Sequence, residues 1–143
     1  ALVNEIKEAP FDAIGHRVVH GGEKSGAPAI IDDELVRGLR SAISLAPLHL
    51  PSQIALIEWA KETYPGVPQV ACFDTWFHRS LPQIARQFSL PYDFYDQGLH
   101  RYGFHGLSYE SVLFQLGSQG KGRLIIAHLG HGVSLTAVRD GQA

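Results

Sequence analysis

The chain of 143 residues has no methionine and one cysteine, Cys72, and these absences limit what it can be. A single cysteine excludes an internal disulfide framework and is typical of a reducing compartment, so we expect a cytoplasmic location. No apolar run approaches the ~18 residues of a membrane span, and no charged-then-apolar leader opens the printed sequence, so we expect no membrane partner. The net charge of -2 lacks the basic excess typical of nucleic-acid binders, so we expect no nucleic-acid partner either.

The remaining composition is that of a folded domain, with 45% hydrophobic and 18% charged residues. This balance argues against disorder, and a chain of this length can bury a sizeable core. Asp140-Gly141 is a preferred hairpin turn, yet only two residues follow it in the sequence. Together with the missing methionine, this leads us to expect an internal piece of a longer protein.

Hydrophobic periodicity and turn residues predict alternating strands and helices. Strands are predicted at residues 13–19, 67–73, 123–129 and 133–139. Helices are predicted at residues 2–9, from an N-cap at Asp32 to Pro47, at 52–63, and from a cap at Ser108 to about Gly117. The alternation indicates an α/β fold, a mixed sheet flanked by helices, with the last two strands paired antiparallel.

The first candidate site residue is Arg17, which lies in an apolar strand within the segment HRVVHGGE. A buried arginine is costly unless it is paired, and its planar guanidinium suits a carboxylate or a phosphate. The alternative is a purely structural ion pair with a buried Asp or Glu. His16 and His20 of the same segment raise the question of zinc, but no cysteine pair or His-Glu-x-x-His motif accompanies them, which disfavours it.

Two further candidates follow at the ends of predicted elements. Asp74 comes directly after an apolar strand, where α/β folds build their sites and where a carboxylate can hold Mg²⁺ directly or through water. The alternative is an Asp that caps the following turn. His105 lies between Gly103 and Gly106, which let the backbone bend tightly and present an imidazole to a developing negative charge. The alternative is a histidine in an ordinary loop.

The last candidate is the glycine-containing turn between the two C-terminal strands. Its residues are His128, Leu129, Gly130, His131 and Gly132. A turn of this kind lets backbone N–H groups converge on an anion such as a nucleotide phosphate. The alternative is a plain glycine turn.

In this order, the segments resemble the acetate kinase (acetokinase) family of the actin-like superfamily. The similarity runs from about residue 11 to 141, and it rests on HRVVHGGE at 16–23, LAPLHLP at 45–51, FDTWFH at 73–78, the run ending in RYGFHG at 101–106 and HLGHGVSLTAV at 128–138. The resemblance implies an actin-like (ribonuclease H-like) kinase fold. It also implies an enzyme that transfers the γ-phosphoryl group of ATP to acetate or a similar short carboxylate, with Mg²⁺ as cofactor, and that forms a homodimer.

By position in the family motifs, the resemblance assigns roles to these residues. Asp74 and His105 match the catalytic aspartate and the transition-state histidine, and Arg17 and His49 match substrate-binding residues. The segment from His128 to Gly132 matches the ATP-phosphate loop. We expect Asp74 to act mainly through Mg²⁺, directly or through water, because an ionised carboxylate substrate needs no general base.

The chain departs from the family pattern at four positions: His131 stands in place of Asn, Leu107 and Tyr109 in place of Thr and His, and Trp76 in place of a small residue. These changes leave open the acyl chain length, so propionate or butyrate kinase is an alternative. A non-catalytic α/β dimerisation module is another.

The resemblance also predicts two domains within the chain. Residues 1–119 would form the back of a first actin-like domain, and residues 120–143 would form the opening hairpin of a second. The family's N-terminal phosphate loop and C-terminal metal-binding glutamate are not in this segment. We therefore expect the segment alone to have no measurable kinase activity.

Overall fold

The computed structural model of the chain describes residues 11–22 and 26–143, so the helix predicted at 2–9 lies outside the described residues. The first half contains β1 (Ile14–Val18), β2 (Ala29–Ile30), α1 (Asp33–Ser41), α2 (Leu50–Thr63) and β3 (Gln69–Phe73). The second half contains α3 (Gln83–Arg86), α4 (Asp93–Asp96), α5 (Gly106–Leu116), β4 (Arg123–Leu129) and β5 (Val133–Arg139). Short 3-10 turns lie at Ile43–Leu45, Trp76–Ser80 and Gly117–Gly120.

The first sheet has the strand order β1-β3-β2. β1 and β3 run parallel, with Arg17 opposite Cys72, whereas the short β2 pairs antiparallel with β3. The sequence did not predict β2. Because parallel strands bring their carboxyl ends to one edge of the sheet, the chain leaves β1 and β3 at the same place. This edge positions the candidate site.

Helices α1 and α2 pack the first sheet into the main core. Asp32 caps α1 as predicted, since its side chain accepts a hydrogen bond from the Leu35 N–H at 2.7 Å. Helix α2 begins at Leu50, two residues before the predicted start, with Pro51 in its first turn. The buried side chains of this core come from both sheet and helices: Val18, Leu39, Ala42, Ala46, Leu50, Ile54, Ile57, Ala71 and Phe73.

The start of α5 corrects the predicted cap at Ser108. The helix begins at Gly106, and His105 occupies the N-cap position with φ 59°. The Gly106 N–H donates to the backbone oxygen of Asp74 at 2.9 Å, and a Cβ at position 106 would overlap that oxygen. A long-range contact therefore fixes the helix start, which local cap preferences do not register.

The hairpin of β4 and β5 forms the second sheet, with the bounds that the sequence predicted. After the end of β5, Asp140 and Gly141 both have positive φ, 51° and 84°, as a two-residue hairpin turn requires. Ile126 and Val138 pack with Phe77 and Tyr109 in a second buried cluster. Over the part of the chain that the structure describes, no helix is both long and apolar enough to span a bilayer.

Candidate active site

Arg17 and Asp74 form an ion pair at the carboxyl edge of the first sheet. The Nε and Nη2 atoms of Arg17 donate to Oδ2 of Asp74 at 3.0 and 2.6 Å. The Asp74 side chain is 2% exposed and the Arg17 side chain 56%, so the carboxylate is buried and the guanidinium faces the surface. The hydrogen bonds that Arg17 donates to Asp74 raise the pKa of Arg17. The ion pair that the sequence left open for Arg17 is thus formed with another candidate site residue.

The second carboxylate oxygen of Asp74 has no hydrogen-bond partner in the part of the chain that the structure describes. Oδ1 is fully buried and accepts no hydrogen bond from any described residue. Buried carboxylate oxygens without hydrogen-bond partners are rare. Such oxygens are preferred ligands of Mg²⁺, either directly or through the water molecules of the ion. Within residues 11–22 and 26–143, no group of three or more His, Cys, Asp or Glu side chains could enclose a metal ion. Asp74 therefore fits an ion that takes its other ligands from water or substrate.

The backbone of His105 is held in a conformation that few residues adopt. Its φ of 59° lies in the left-handed region, which only one other described non-glycine residue, Asp140, occupies. The next residue, Gly106, donates its backbone N–H to the backbone oxygen of Asp74. The sharp turn predicted around His105 is present, and it ties His105 to the segment that carries Asp74.

The imidazole of His105 is fixed by two neighbours, His128 and Ser134. Its ring stacks on that of His128, with centroids 4.1 Å apart and planes 11° apart. Its Nδ1 lies 2.7 Å from Oγ of Ser134, and that oxygen also shares a hydrogen bond with the hydroxyl of Tyr109. His128 is itself held by Ser108, whose Oγ lies 3.0 Å from the His128 Nδ1. The hydrogen bonds between His105 and Ser134 and between Ser108 and His128 thus join the start of helix α5 to the hairpin.

The surroundings of His105 keep its imidazole neutral at neutral pH. Burial lowers the pKa of His105 most, and the nearby His128 lowers it further. The charge of Asp74 raises the pKa of His105, and that of Arg17 lowers it. With Nδ1 bonded to Ser134, the Nε2 atom is the one left for a ligand.

The glycine turn of the hairpin lies against His105. The turn is exposed from Leu129 to Gly132, and the Gly130 N–H donates to the Gly132 oxygen at 3.1 Å. A Cβ at position 132 would lie 3.2 Å from Nε2 of His105, which is tighter than ordinary contact. Glycine at 132 therefore leaves the face of the imidazole open. His131, in the middle of the turn, is exposed.

His49 is a candidate site residue that the structure does not bring into contact with Arg17, Asp74 or His105. It is exposed and occupies the N-cap position of α2, without a side-chain capping bond. One turn further on, Gln53 accepts a hydrogen bond from the Val19 N–H at 3.2 Å. His49 thus lies at the carboxyl end of β1 without a recorded contact to Arg17, Asp74 or His105.

Sequence reasoning missed Ser134, which positions the imidazole of His105. The hairpin register places Ser134 directly opposite His128. Because the turn residues fix that register, both side chains could have been predicted to share one face of the hairpin. No sequence signal, however, predicted that the imidazole of His105, at the start of α5, would contact this face of the hairpin.

The remaining histidines of the first motif and Trp76 take structural places. His16 is buried, with Nε2 2.7 Å from the side-chain oxygen of Gln69. His20 is buried, and its Nδ1 accepts from the Gly22 N–H at 2.9 Å. Trp76, which stands in place of a small residue of the family pattern, packs against the main core.

Comparisons with known proteins agree with the arrangement. A model of the Acetokinase family matches residues 2–143. Acetate kinase from Methylocella silvestris is 51% identical over 138 residues, which cover 94% of this chain and 34% of that protein. Among solved structures, Porphyromonas gingivalis acetate kinase matches with a TM-score of 0.81 at 38% identity over 92% of this chain and 35% of that one. Francisella tularensis propionate kinase matches with a TM-score of 0.87 at 38% identity over 99% of this chain and 38% of that one.

These similarities confirm the predicted α/β kinase fold. The chain spans about a third of the length of the relatives that it matches. The family model covers nearly every residue, and the matched segments include all the candidate site residues. The chain therefore belongs to the acetokinase family.

Proposed function

We propose that the longer protein containing this segment is an ATP-dependent carboxylate kinase that converts acetate to acetyl phosphate with Mg²⁺. The observation that carries the proposal is the Arg17–Asp74 pair, which is tied to His105 through the hydrogen bond from the Gly106 N–H to the Asp74 backbone oxygen. A cation, a carboxylate with a free oxygen, an imidazole and exposed backbone at a turn are the components that phosphoryl transfer uses. The relatives named acetate kinase support the choice of acceptor.

The reaction needs positioning and charge stabilisation more than proton transfer. A carboxylate has a pKa of about 4–5 and is already ionised at neutral pH. One of its oxygens forms a bond to the γ-phosphorus of ATP while the bond from that phosphorus to the bridging oxygen breaks. The products are the acyl phosphate and ADP, and no proton is taken from the nucleophile. This accounts for a site without a general base.

Arg17 binds the carboxylate substrate or the transferring phosphoryl group in this proposal. Its side chain is 56% exposed although two of its nitrogens bond Asp74, so the remaining donors face the open side of the pair. Asp74 fixes the plane of the guanidinium through Oδ2. Its orphaned Oδ1 would hold Mg²⁺ through water, and the bound ion would neutralise phosphate charge.

His105 donates a hydrogen bond from Nε2 to the transferring phosphoryl group. A neutral imidazole is a donor there only if Nδ1 acts as an acceptor. A hydroxyl chain in which Tyr109 donates to Ser134, and Ser134 donates to His105 Nδ1, provides that arrangement. In this chain Tyr109, which departs from the family pattern, orients the catalytic imidazole.

The glycine turn binds the phosphates of ATP through its backbone N–H groups. His128 is the wall on which His105 stacks, and Leu129, Gly130, His131 and Gly132 form the exposed turn. His131 stands where the family has Asn and can still donate from its ring. His49, at the same sheet edge as Arg17, completes the substrate side.

The wider organisation is part of the same proposal. Residues 1–119 belong to a first actin-like domain and 120–143 open a second one, so the contact between His105 and the turn lies at a domain boundary. We propose that the protein is a cytoplasmic homodimer, as the family resemblance implies.

An acyl-hydroxamate assay on the complete protein tests the function. The assay traps acyl phosphate made from ATP and acetate, propionate or butyrate at matched concentrations. Acetate is expected to give the highest kcat/KM. A preference for propionate would move the protein to the class of its Francisella structural relative. Absence of acyl phosphate with all three acids would leave a non-catalytic module and refute the proposal.

A further inference from the structure

A cavity lined by three arginines lies beside the candidate active site. Its volume is about 370 Å³, and Arg79, Arg86 and Arg101 all form part of its wall. No Asp or Glu is among the residues that line it. Guanidinium groups around one cavity repel each other unless an anion lies between them, and their planar donors suit carboxylate and phosphate oxygens.

The three arginines are held by contacts that leave their charge unbalanced. The Arg101 N–H donates to the backbone oxygen of Arg86 at 2.7 Å, which joins the two segments. The guanidinium of Arg79 lies 4.2 Å from the centre of the Trp76 ring, and that of Arg101 lies 5.3 Å from the Phe88 ring. Within residues 11–22 and 26–143, no carboxylate forms a salt bridge with any of the three.

A buried polar atom of Thr75 supplies an independent sign of a ligand. Thr75 lines the cavity, is 7% exposed, and its Oγ1 has no hydrogen-bond partner among the described residues. Buried hydroxyls without a partner are rare in folded proteins. An anion in the cavity would give this hydroxyl an acceptor.

The opposite wall is neutral and closely fitted. His78 lines the cavity, and its Nε2 lies 3.0 Å from the Phe104 oxygen. Burial is the main cause that lowers the pKa of His78, so its ring is neutral at neutral pH. A Cβ at Gly103 would overlap this ring, so the wall has no spare room there. His78 therefore adds no charge to that of the three arginines.

The cavity is separate from the site proposed for phosphoryl transfer. Neither Arg17 nor Asp74 nor His105 lines it, and the glycine turn lies elsewhere. It is nevertheless connected to that site through the chain, because Thr75 follows Asp74 and Gly103 precedes His105 by two residues.

We propose that this cavity binds a small anion carrying two or more negative charges, bonded by Arg86, Arg101 and the Thr75 hydroxyl. The shared chemistry is a cluster of phosphate or carboxylate oxygens. The proposal does not depend on the proposed kinase function, since none of these three residues takes part in it.

Isothermal titration calorimetry on the nucleotide-free complete protein tests the binding. Inorganic phosphate, pyrophosphate and glutarate are titrated as probes, with chloride as the monovalent reference. At least one divalent or polyvalent probe is expected to bind, and the tighter class distinguishes a phosphate ligand from a dicarboxylate. Arg86→Gln is expected to weaken that binding at least tenfold. The variant should fold, because the Arg86 side chain makes no hydrogen bond or salt bridge with the described residues.

Two matched variants separate this cavity from other anion sites. Arg123→Gln removes one exposed positive charge outside the cavity and is expected to leave the affinity unchanged. Arg17→Gln is expected to retain the binding, because it alters only the catalytic pair. Arg101→Lys keeps the charge but loses the planar donors, so a several-fold loss is expected even if Arg86→Gln does not fold. Equal affinities in Arg86→Gln and Arg123→Gln, loss of all binding in Arg17→Gln, or no binding beyond chloride would each overturn the proposal.

Discussion

The two sides of the candidate active site differ in how they are built. On the sheet side, Asp74 is buried at 2% side-chain exposure and fixed by the parallel pairing of β1 and β3. On the hairpin side, Leu129 to Gly132 are exposed, and His128 and Ser134 contact the imidazole between the two sides. Charged groups thus sit on the rigid side and backbone donors on the open side. This division suits a reaction in which a large nucleotide enters and leaves while the reacting groups stay in place.

The sheet side should be the more sensitive to loss of charge. Asp74→Asn in the complete protein is expected to lower kcat by about 10²–10³, the cost typical of removing one electrostatic group from a preorganised site. It should also raise the Mg²⁺ concentration needed for half-maximal rate, because Oδ1 is the oxygen proposed to hold the hydrated ion. Steady-state rates over a Mg²⁺ titration measure both effects. A reduced rate with unchanged Mg²⁺ dependence would show that Asp74 does not act through the metal.

The junction between Asp74 and His105 should tolerate no added methyl group. In Gly106→Ala, the new Cβ would overlap the Asp74 oxygen and lie 2.7 Å from Cβ of Phe77. We expect a loss of about 3 kcal/mol in the free energy of unfolding, the upper end of the range for overpacking. Chemical denaturation measures it.

Gly38→Ala is the matched control for that variant. Gly38 lies inside α1, and a Cβ there would meet nothing within 4 Å. Alanine should stabilise the helix by ~0.5–1 kcal/mol. Similar unfolding free energies for the two variants would contradict the close approach at Gly106.

The contact between the two sides should have an intermediate effect. Ser134→Ala removes the hydroxyl that bonds Nδ1 of His105, so the ring loses its fixed orientation. We expect kcat to fall about tenfold, the effect of ~1.4 kcal/mol in the barrier, with the KM for acetate little changed. The exposed Ser118 provides the control, since Ser118→Ala removes a hydroxyl without a recorded partner. A larger change in KM than in kcat would place Ser134 in substrate binding instead.

The smallest effect concerns pH. Burial lowers the pKa of His20, His78 and His105 in the folded state, so the unfolded chain takes up protons first as the pH falls. The unfolding free energy should therefore be highest above the ordinary histidine pKa of about 6.5 and decrease as the pH falls below it. Denaturation midpoints at pH 7.5, 6.5 and 5.5 measure this, above the range in which carboxylates titrate. A midpoint that rises toward pH 5.5 would contradict the assignment.

Much of the fold follows from local signals in the sequence. The apolar runs before Asp74 and around the glycine turn predicted β3, β4 and β5, and Asp32 predicted the start of α1. The start of α5 was predicted wrongly, because the contact between Gly106 and Asp74 decides it. Local preference is a weak guide where a tertiary hydrogen bond selects the helix start.

The candidate site divides in the same way. The meeting of Arg17 and Asp74 follows from parallel strands whose carboxyl ends share an edge, so the sequence could predict it. The stacking of His105 on His128 and the bond to Ser134 depend on how α5 packs on the hairpin, which no local pattern encodes. The arginine cavity was also not predicted, because its three arginines lie on a 3-10 turn, the four-residue helix α3 and a loop, all too short to show periodicity.

The most direct test of the central claim compares two arginine variants of the complete protein in the acyl-hydroxamate assay with ATP and acetate. Arg17 belongs to the pair on which the proposed chemistry depends, whereas Arg123 is exposed on the hairpin. The account predicts that Arg123→Gln keeps the rate of the unmodified protein and that Arg17→Gln loses about 10²–10³ of it. Equal rates for the two variants would contradict the account.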